Sequence, residues 1–174
     1  KNFNYDIETV KSHKKDKDGN YKVKKYSNDI FTFDIECTSA WIENGKIIGY
    51  RKGEENDYWN NLIPIALCYI WQFSVNGDVY YGRELTDFLK VLSDLPSDVN
   101  IIIWVHNLSY EFQFLCNILT WKDVFARTPH KPMKCISNEY PNIEFRCSYM
   151  LTRLSLDSWG KQLGVSKMTG DLDY

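Results

Sequence analysis

The amino-acid sequence predicts an α/β protein with a mixed sheet and helices on its faces. Three observations predict it. Strand-length apolar segments are joined by tight-turn dipeptides such as Asn76-Gly77. Two later segments carry apolar residues at helical spacing. Between them lies "NIIIWV", Asn100 to Val105, whose isoleucine run marks a strand buried in a sheet.

In chain order, residues 1–29 are polar and lysine-rich, and Asp18-Gly19 predicts a solvated hairpin there or, in the functional reading, a contact to DNA phosphates. Residues 30–36, "IFTFDIE", alternate apolar and polar and form a strand. Residues 37–61 read as loop, with a short hairpin at Asn44-Gly45. Leu62 to Ser74 is a strand of near-continuous apolar character, and Asn76-Gly77 turns it into a partner, Val79 to Gly82. Leu85, Phe88, Leu89, Leu92 and Leu95 place a helix over 84–95, ended by Pro96. After the buried strand, 109–119 is a helix with Phe114, Leu115 and Ile118 on one face. Residues 133–137 and 143–149 form a hairpin around Asn142, and 155–163 a last helix stopped at Gly164. An antiparallel start followed by a crossover helix and a buried strand gives the mixed sheet.

The 174 residues suit one domain with a sizeable core, and a hydrophobic share of 44% excludes a disordered chain. A net charge of −2 leaves no global basic field, so any nucleic-acid surface is local. The five cysteines are odd in number and contain no CxxC pair, which argues against a disulfide framework or zinc ribbon and for a reducing, cytoplasmic setting. No apolar stretch reaches membrane-spanning length, so no membrane partner is expected. The chain opens on Lys1 without a signal peptide and reads as a piece of a larger protein.

The chemistry is concentrated where "IFTFDIECT" ends. Residues i and i+2 of a strand share a face, so Asp34 and Glu36 project together. Two hard oxygen donors at close range repel unless a cation separates them, and Mg²⁺ or Mn²⁺ is the natural filler. The same tripeptide at Asp6 and Glu8 has no apolar run to anchor it and reads as a surface coincidence. Taken alone, either pair is equally an exposed strand end with solvated acids. A second segment, "WVHNLSYEFQFL", carries the buried strand through His106 into a helix. Asn107 and Ser109 fit as N-caps there, and Glu111 as a first-turn acid favoured by the helix dipole. The alternative aims Glu111 at the Asp34/Glu36 pair, with Asn107 and Tyr110 beside a substrate. His106 reads first as hydrogen-bonded structure and only second as a phosphate contact. Trp41, Trp59 and Trp71 fit a core or a base platform equally.

Together the two segments resemble the 3′–5′ exonuclease domain of family B DNA polymerases, in the protein-primed branch of bacteriophages and linear plasmids. Asp34-Ile35-Glu36 matches the D-x-E of the first exonuclease motif. Asn107-Leu108-Ser109-Tyr110-Glu111 matches the second, an Asn followed after two residues by an aromatic and an acid. "TGDLDY", Thr169 to Tyr174, is similar to a stretch near the end of that domain. The resemblance spans about residues 29–174. It divides the chain into an N-terminal extension, 1–29, and an exonuclease-like domain, 30–174.

The resemblance implies a ribonuclease-H-like (DnaQ-like exonuclease) mixed sheet and two-metal hydrolysis of the 3′ end of single-stranded DNA, with two Mg²⁺ or Mn²⁺ ions held by Asp34, Glu36 and Glu111. It implies substrate contacts from Thr38, Asn107, Tyr110, Ser148 and Tyr174. Its implied partners are single-stranded DNA, the rest of a polymerase chain and a terminal priming protein. Four departures stand out. The second motif's acid is Glu111 where relatives have Asp. Cys37 stands where Thr is frequent. Thr169 lies where a lysine assists, with Lys167 two residues before it. The third motif, Tyr-x₃-Asp, does not occur and is expected beyond Tyr174. Three other readings fit the same residues: a catalytically silent nucleic-acid-binding domain of this fold, a free-standing nuclease of the superfamily, and an interaction module whose acids are caps and surface charges.

Overall fold

The computed structural model describes residues 6–165. Strands β1 (Ile7–Lys15) and β2 (Tyr21–Ser27) form the expected N-terminal hairpin. It is tied to the body of the protein. β2 runs parallel to β7 (Val99–Val105), pairing Lys25 with Val99 and Tyr26 with Asn100, and the Asn100 side-chain amide donates to the Lys25 carbonyl at 2.9 Å.

The strand predicted over 30–36 is longer than its apolar pattern. β3 (Phe31–Glu43) continues antiparallel to β5 (Ile63–Val75) as far as Ile42, and turns at Asn44-Gly45 into β4 (Lys46–Ile48). A bulge on β5 between Ile70 and Cys68 resets the register beside Glu36 and Cys37. α1 (Asn56–Asn60) interrupts the segment read as loop. β5 turns at Asn76-Gly77 into β6 (Asp78–Gly82) as predicted. The helix predicted over 84–95 is split into a 3-10 turn (Leu85–Asp87) and α2 (Phe88–Asp94). β7 is followed by α3 (Leu108–Leu115), then β8 (Trp121–Thr128), β9 (Lys131–Ser137), β10 (Ile143–Cys147), α4 (Tyr149–Thr152) and α5 (Leu156–Gln162). The strand order is β6-β5-β3-β7-β10-β9-β8. β7 runs parallel to both β3 and β10, and the flanking pairs are antiparallel. The fold is thus α/β, a mixed sheet flanked by helices, consistent with a ribonuclease-H-like architecture.

β7 differs from a strand buried on both faces. Val99, Ile101, Ile103 and Val105 are buried, whereas Asn100, Ile102 and Trp104 are half-buried. β3 and β10 share this one-sided pattern, with Phe31, Phe33, Ile35, Ile143, Phe145 and Cys147 buried. That face carries the core. Phe88 of α2 is its centre: its ring stacks on Phe33 at 4.2 Å and meets Trp71, Phe73 and Phe145 at 5.6, 5.9 and 6.4 Å. Phe88→Ala is expected to cost about 3–5 kcal/mol through lost burial and the cavity left behind, read as a lowered denaturation midpoint at unchanged slope.

Gly82 ends β6 against the Trp71 ring. A Cβ there would lie 2.6 Å from the indole, which is buried and whose Nε1 donates to the Glu84 carbonyl at 2.8 Å. The ring has no room to retreat, so Gly82→Ala is expected to destabilise by about 1–3 kcal/mol through overpacking, checked by thermal melting. Trp41 and Trp59 lie apart from this core. They form a separate cluster with Tyr50 and Tyr58, and the buried Trp59 Nε1 has no hydrogen-bond partner.

Candidate active site

Alternation along β3 decides which way its acids face. Phe33 and Ile35 enter the core, so Thr32, Asp34 and Glu36 stand on the exposed face. α3 begins beyond the C-terminal end of β7 and brings Glu111 into the same place. Its hinge is Asn107, at φ 64° and ψ 54°, a left-handed conformation that asparagine tolerates better than other non-glycine residues. Asn107 takes the expected N-cap position, but its side chain makes no capping bond; its carbonyl accepts from the Tyr110 amide at 3.0 Å, and Ser109 lies inside the helix.

Glu111 is 3% exposed, and its Oε2 has no hydrogen-bond partner. Burial pushes its carboxyl up to about 8. Its own backbone amide lowers it, and the charge and hydrogen bonding of Asp34, then the charge of Glu36, raise it further. A buried acid facing a second acid is the arrangement that a cation relieves. The donor set is all oxygen, as Mg²⁺ and Mn²⁺ require, and the orphaned Oε2 is a ready ligand. Asp34 and Glu111 thus supply two of the oxygen donors that such an ion would need. Asp34 and Glu111 are in contact, and Glu36 is coupled to them through its field. Among the described residues, no group of three or more His, Cys, Asp and Glu side chains is close enough to hold a metal.

Asp34 opens onto a cavity of about 510 Å³. Thr32 and Ser74 line it, their hydroxyls paired at 2.6 Å, with Gln72, Trp104, His106, Ser148 and Trp159. Ser148 lies where the sequence places a substrate contact. Its hydroxyl meets His106 Nδ1 at 3.2 Å, and its amide donates to the Val105 carbonyl at 2.9 Å. The His106 ring also stacks near Trp159 at 6.3 Å and meets Tyr149 edge-on at 5.8 Å. Ser155 caps α5 by accepting from the Ser158 amide at 3.1 Å.

Tyr110 is exposed beside Glu111, and its hydroxyl bonds to Cys37. That bond, followed by burial, pushes the phenol up to about 12. Burial is the main reason the Cys37 thiol is raised, and it pushes Cys68, the cross-strand partner of Cys37, up to about 11. Thr38 lies beyond the bulge and is exposed. Tyr174, Lys167 and Thr169 lie outside the described residues. Sequence reasoning missed Thr32, although the same-face rule that pairs Asp34 with Glu36 also reaches it. It missed Gln72, Trp104 and Trp159 as well, and these carry no local signal.

Fold and site together define an α/β domain whose mixed sheet is consistent with a ribonuclease-H-like architecture and which sets Asp34 of β3 against Glu111 of α3. No family model matches the sequence, and no curated protein matches it. Among solved structures, the chain is similar to Phi29 DNA polymerase complexed with primer-template DNA in a post-translocation binary complex. The TM-score is 0.56 and the identity 12%, over 84% of this chain and 25% of the polymerase chain. The likeness is one of fold, and the chain spans about a quarter of that polymerase's length.

Proposed function

We propose that this chain is the 3′–5′ exonuclease domain, or part of it, of a protein-primed family B DNA polymerase, removing terminal nucleotides from single-stranded DNA. The observation that carries this reading is the buried Glu111, its Oε2 unpartnered, held against Asp34, which itself lines an aromatic cavity. The fold shared with part of a DNA polymerase supports it. So does the match of Asp34, Glu36 and Glu111 to two exonuclease motifs in consistent order.

Asp34, Glu36 and Glu111 would hold two divalent ions, Mg²⁺ or Mn²⁺. Bound there, such ions polarise the scissile phosphate and lower the pKa of water. The chain's own groups do the rest. Glu111 keeps a proton at neutral pH while no cation is present and gives it up as one binds. Trp104 and Trp159 offer faces for a terminal base, which needs no particular sequence to stack. The His106–Ser148 pair presents polar atoms in the same cavity, beside Trp159. In this reading Asn107, Tyr110 and Thr38 would contact the last nucleotides of the strand. Among the described residues no helix is long and apolar enough to cross a membrane, and the five free thiols agree with a cytoplasmic setting. The remaining polymerase chain and a terminal priming protein are the partners this reading implies.

The test is release of the 3′-terminal nucleotide from labelled single-stranded DNA with Mn²⁺. Release confined to 3′-labelled strands supports the reading. DNA binding without release would favour the catalytically silent domain, a reading supported by the lack, among the described residues, of three metal-ligating side chains close enough to hold an ion.

A further inference from the structure

A second groove, of about 940 Å³, shares His106 with the Asp34 cavity and runs away from it between the β8–β9 turn and the segment after α4. Its charge is of one sign. Arg127, Lys131 and Arg153 line it and no Asp or Glu does. All three are exposed, and none forms an ion pair among the described residues. The chain is acidic overall, so this separation is local.

The backbone fixes the groove's rim. Five described non-glycine residues have positive φ. Asn44 and Asn76 precede Gly45 and Gly77 in hairpin turns, where that conformation belongs to the turn. The other three are Asn107 at 64°, His130 at 61° and Arg153 at 57°, and all three line this groove. His130 follows Pro129 in the two-residue β8–β9 turn, and Arg153 is the left-handed cap that ends α4, its amide donating to the Tyr149 carbonyl, so a tight turn and a helix cap hold Lys131 and Arg153 at the groove's rim.

We infer that this groove binds the phosphodiester backbone of the single strand whose 3′ end enters the Asp34 cavity. The inference rests on the exonuclease reading for its direction of travel, though not for the binding itself. Guanidinium and ammonium groups spaced along a trough neutralise successive phosphates and carry no base preference. A strand leaving the aromatic cavity past His106 meets the groove next.

The experiment is fluorescence anisotropy of labelled oligothymidylate with the whole chain in EDTA, so that no cleavage intrudes. The groove variant is Arg127→Gln with Lys131→Gln, two exposed positions. The control, Lys11→Gln with Lys24→Gln, removes the same charge from the β1–β2 hairpin at the other end of β7. Circular dichroism establishes that both fold. The groove variant is expected to bind at least tenfold more weakly, and its salt dependence to flatten by about 0.7 per lost phosphate contact. The control is expected to bind like the parent. Equal weakening in both would reduce the effect to overall charge and overturn the inference, as would no weakening in either. Competition by polyglutamate as strong as by DNA would point to an acidic protein and also overturn it. The two readings fail separately. Groove-dependent binding without nucleotide release defeats the exonuclease and leaves the groove. Nucleotide release with groove-independent binding does the reverse.

Discussion

Asp34→Ala is expected to abolish release of 3′-terminal nucleotides while leaving the fold and DNA binding in place. Asp34 is exposed on β3, so its side chain carries no packing, and the core beneath it is built by Phe33 and Ile35. The loss falls on cation binding. With Asp34 removed, Glu111 is left as a buried acid without its carboxylate partner, and the two-carboxylate site is gone. Losing a charge-stabilising ligand worth about 4 kcal/mol slows the reaction roughly a thousandfold. The measurement is a time course of labelled mononucleotide with Mn²⁺, with anisotropy run in parallel. Undiminished release from Asp34→Ala would remove the β3 carboxylate from the reaction. A variant that neither cleaves nor binds would mean that Asp34 supports structure instead.

Glu111→Gln is expected to stabilise the protein at neutral and alkaline pH, the reverse of what most substitutions of buried residues do. The sign follows from the raised value. In the unfolded chain Glu111 ionises near its ordinary 4.5, and in the folded protein near 8. Below 4.5 it is protonated in both states and costs nothing. Between these values the unfolded state releases the proton and the folded state retains it, so stability falls as pH rises through this window and levels off above it. At about 1.4 kcal/mol per pH unit, the penalty reaches several kcal/mol. Glutamine keeps the shape and offers a donor to Asp34, as the protonated acid does. Melting temperatures of variant and parent are therefore expected to coincide near pH 4 and to separate progressively up to pH 8, the variant higher. Mn²⁺ is expected to narrow the gap by raising the parent alone, since a ligand that binds only the folded state stabilises it by mass action. A gap independent of pH would show that Glu111 is not held protonated. A cation response equal in both would place the ion elsewhere.

These residues also show how far the sequence reached. That Asp34 and Glu36 share the exposed face of β3 was legible because strand alternation is a local rule. The turns at Asn44-Gly45 and Asn76-Gly77 were legible for a similar reason: their left-handed backbone is set by the dipeptide itself. β8 was missed because "WKDVFART" buries almost nothing. Apart from half-buried Trp121 its residues are exposed, and the strand exists through its pairing with β9. β3 was called too short because its second half draws on β5 rather than on an apolar pattern of its own.

The chain by itself therefore determined which acids share a face, where the tight turns fall, and that the whole packs as a mixed α/β sheet. Each follows from periodicity or from the conformational range of single residues. Only the tertiary structure decided that Glu111 is buried against Asp34, since burial depends on what α3 packs over. It alone decided that Trp104, Gln72 and Trp159 wall one cavity. And it alone brought Arg127, Lys131 and Arg153 onto one groove, because side chains from a strand pair and a later helix end meet through topology that no local pattern encodes.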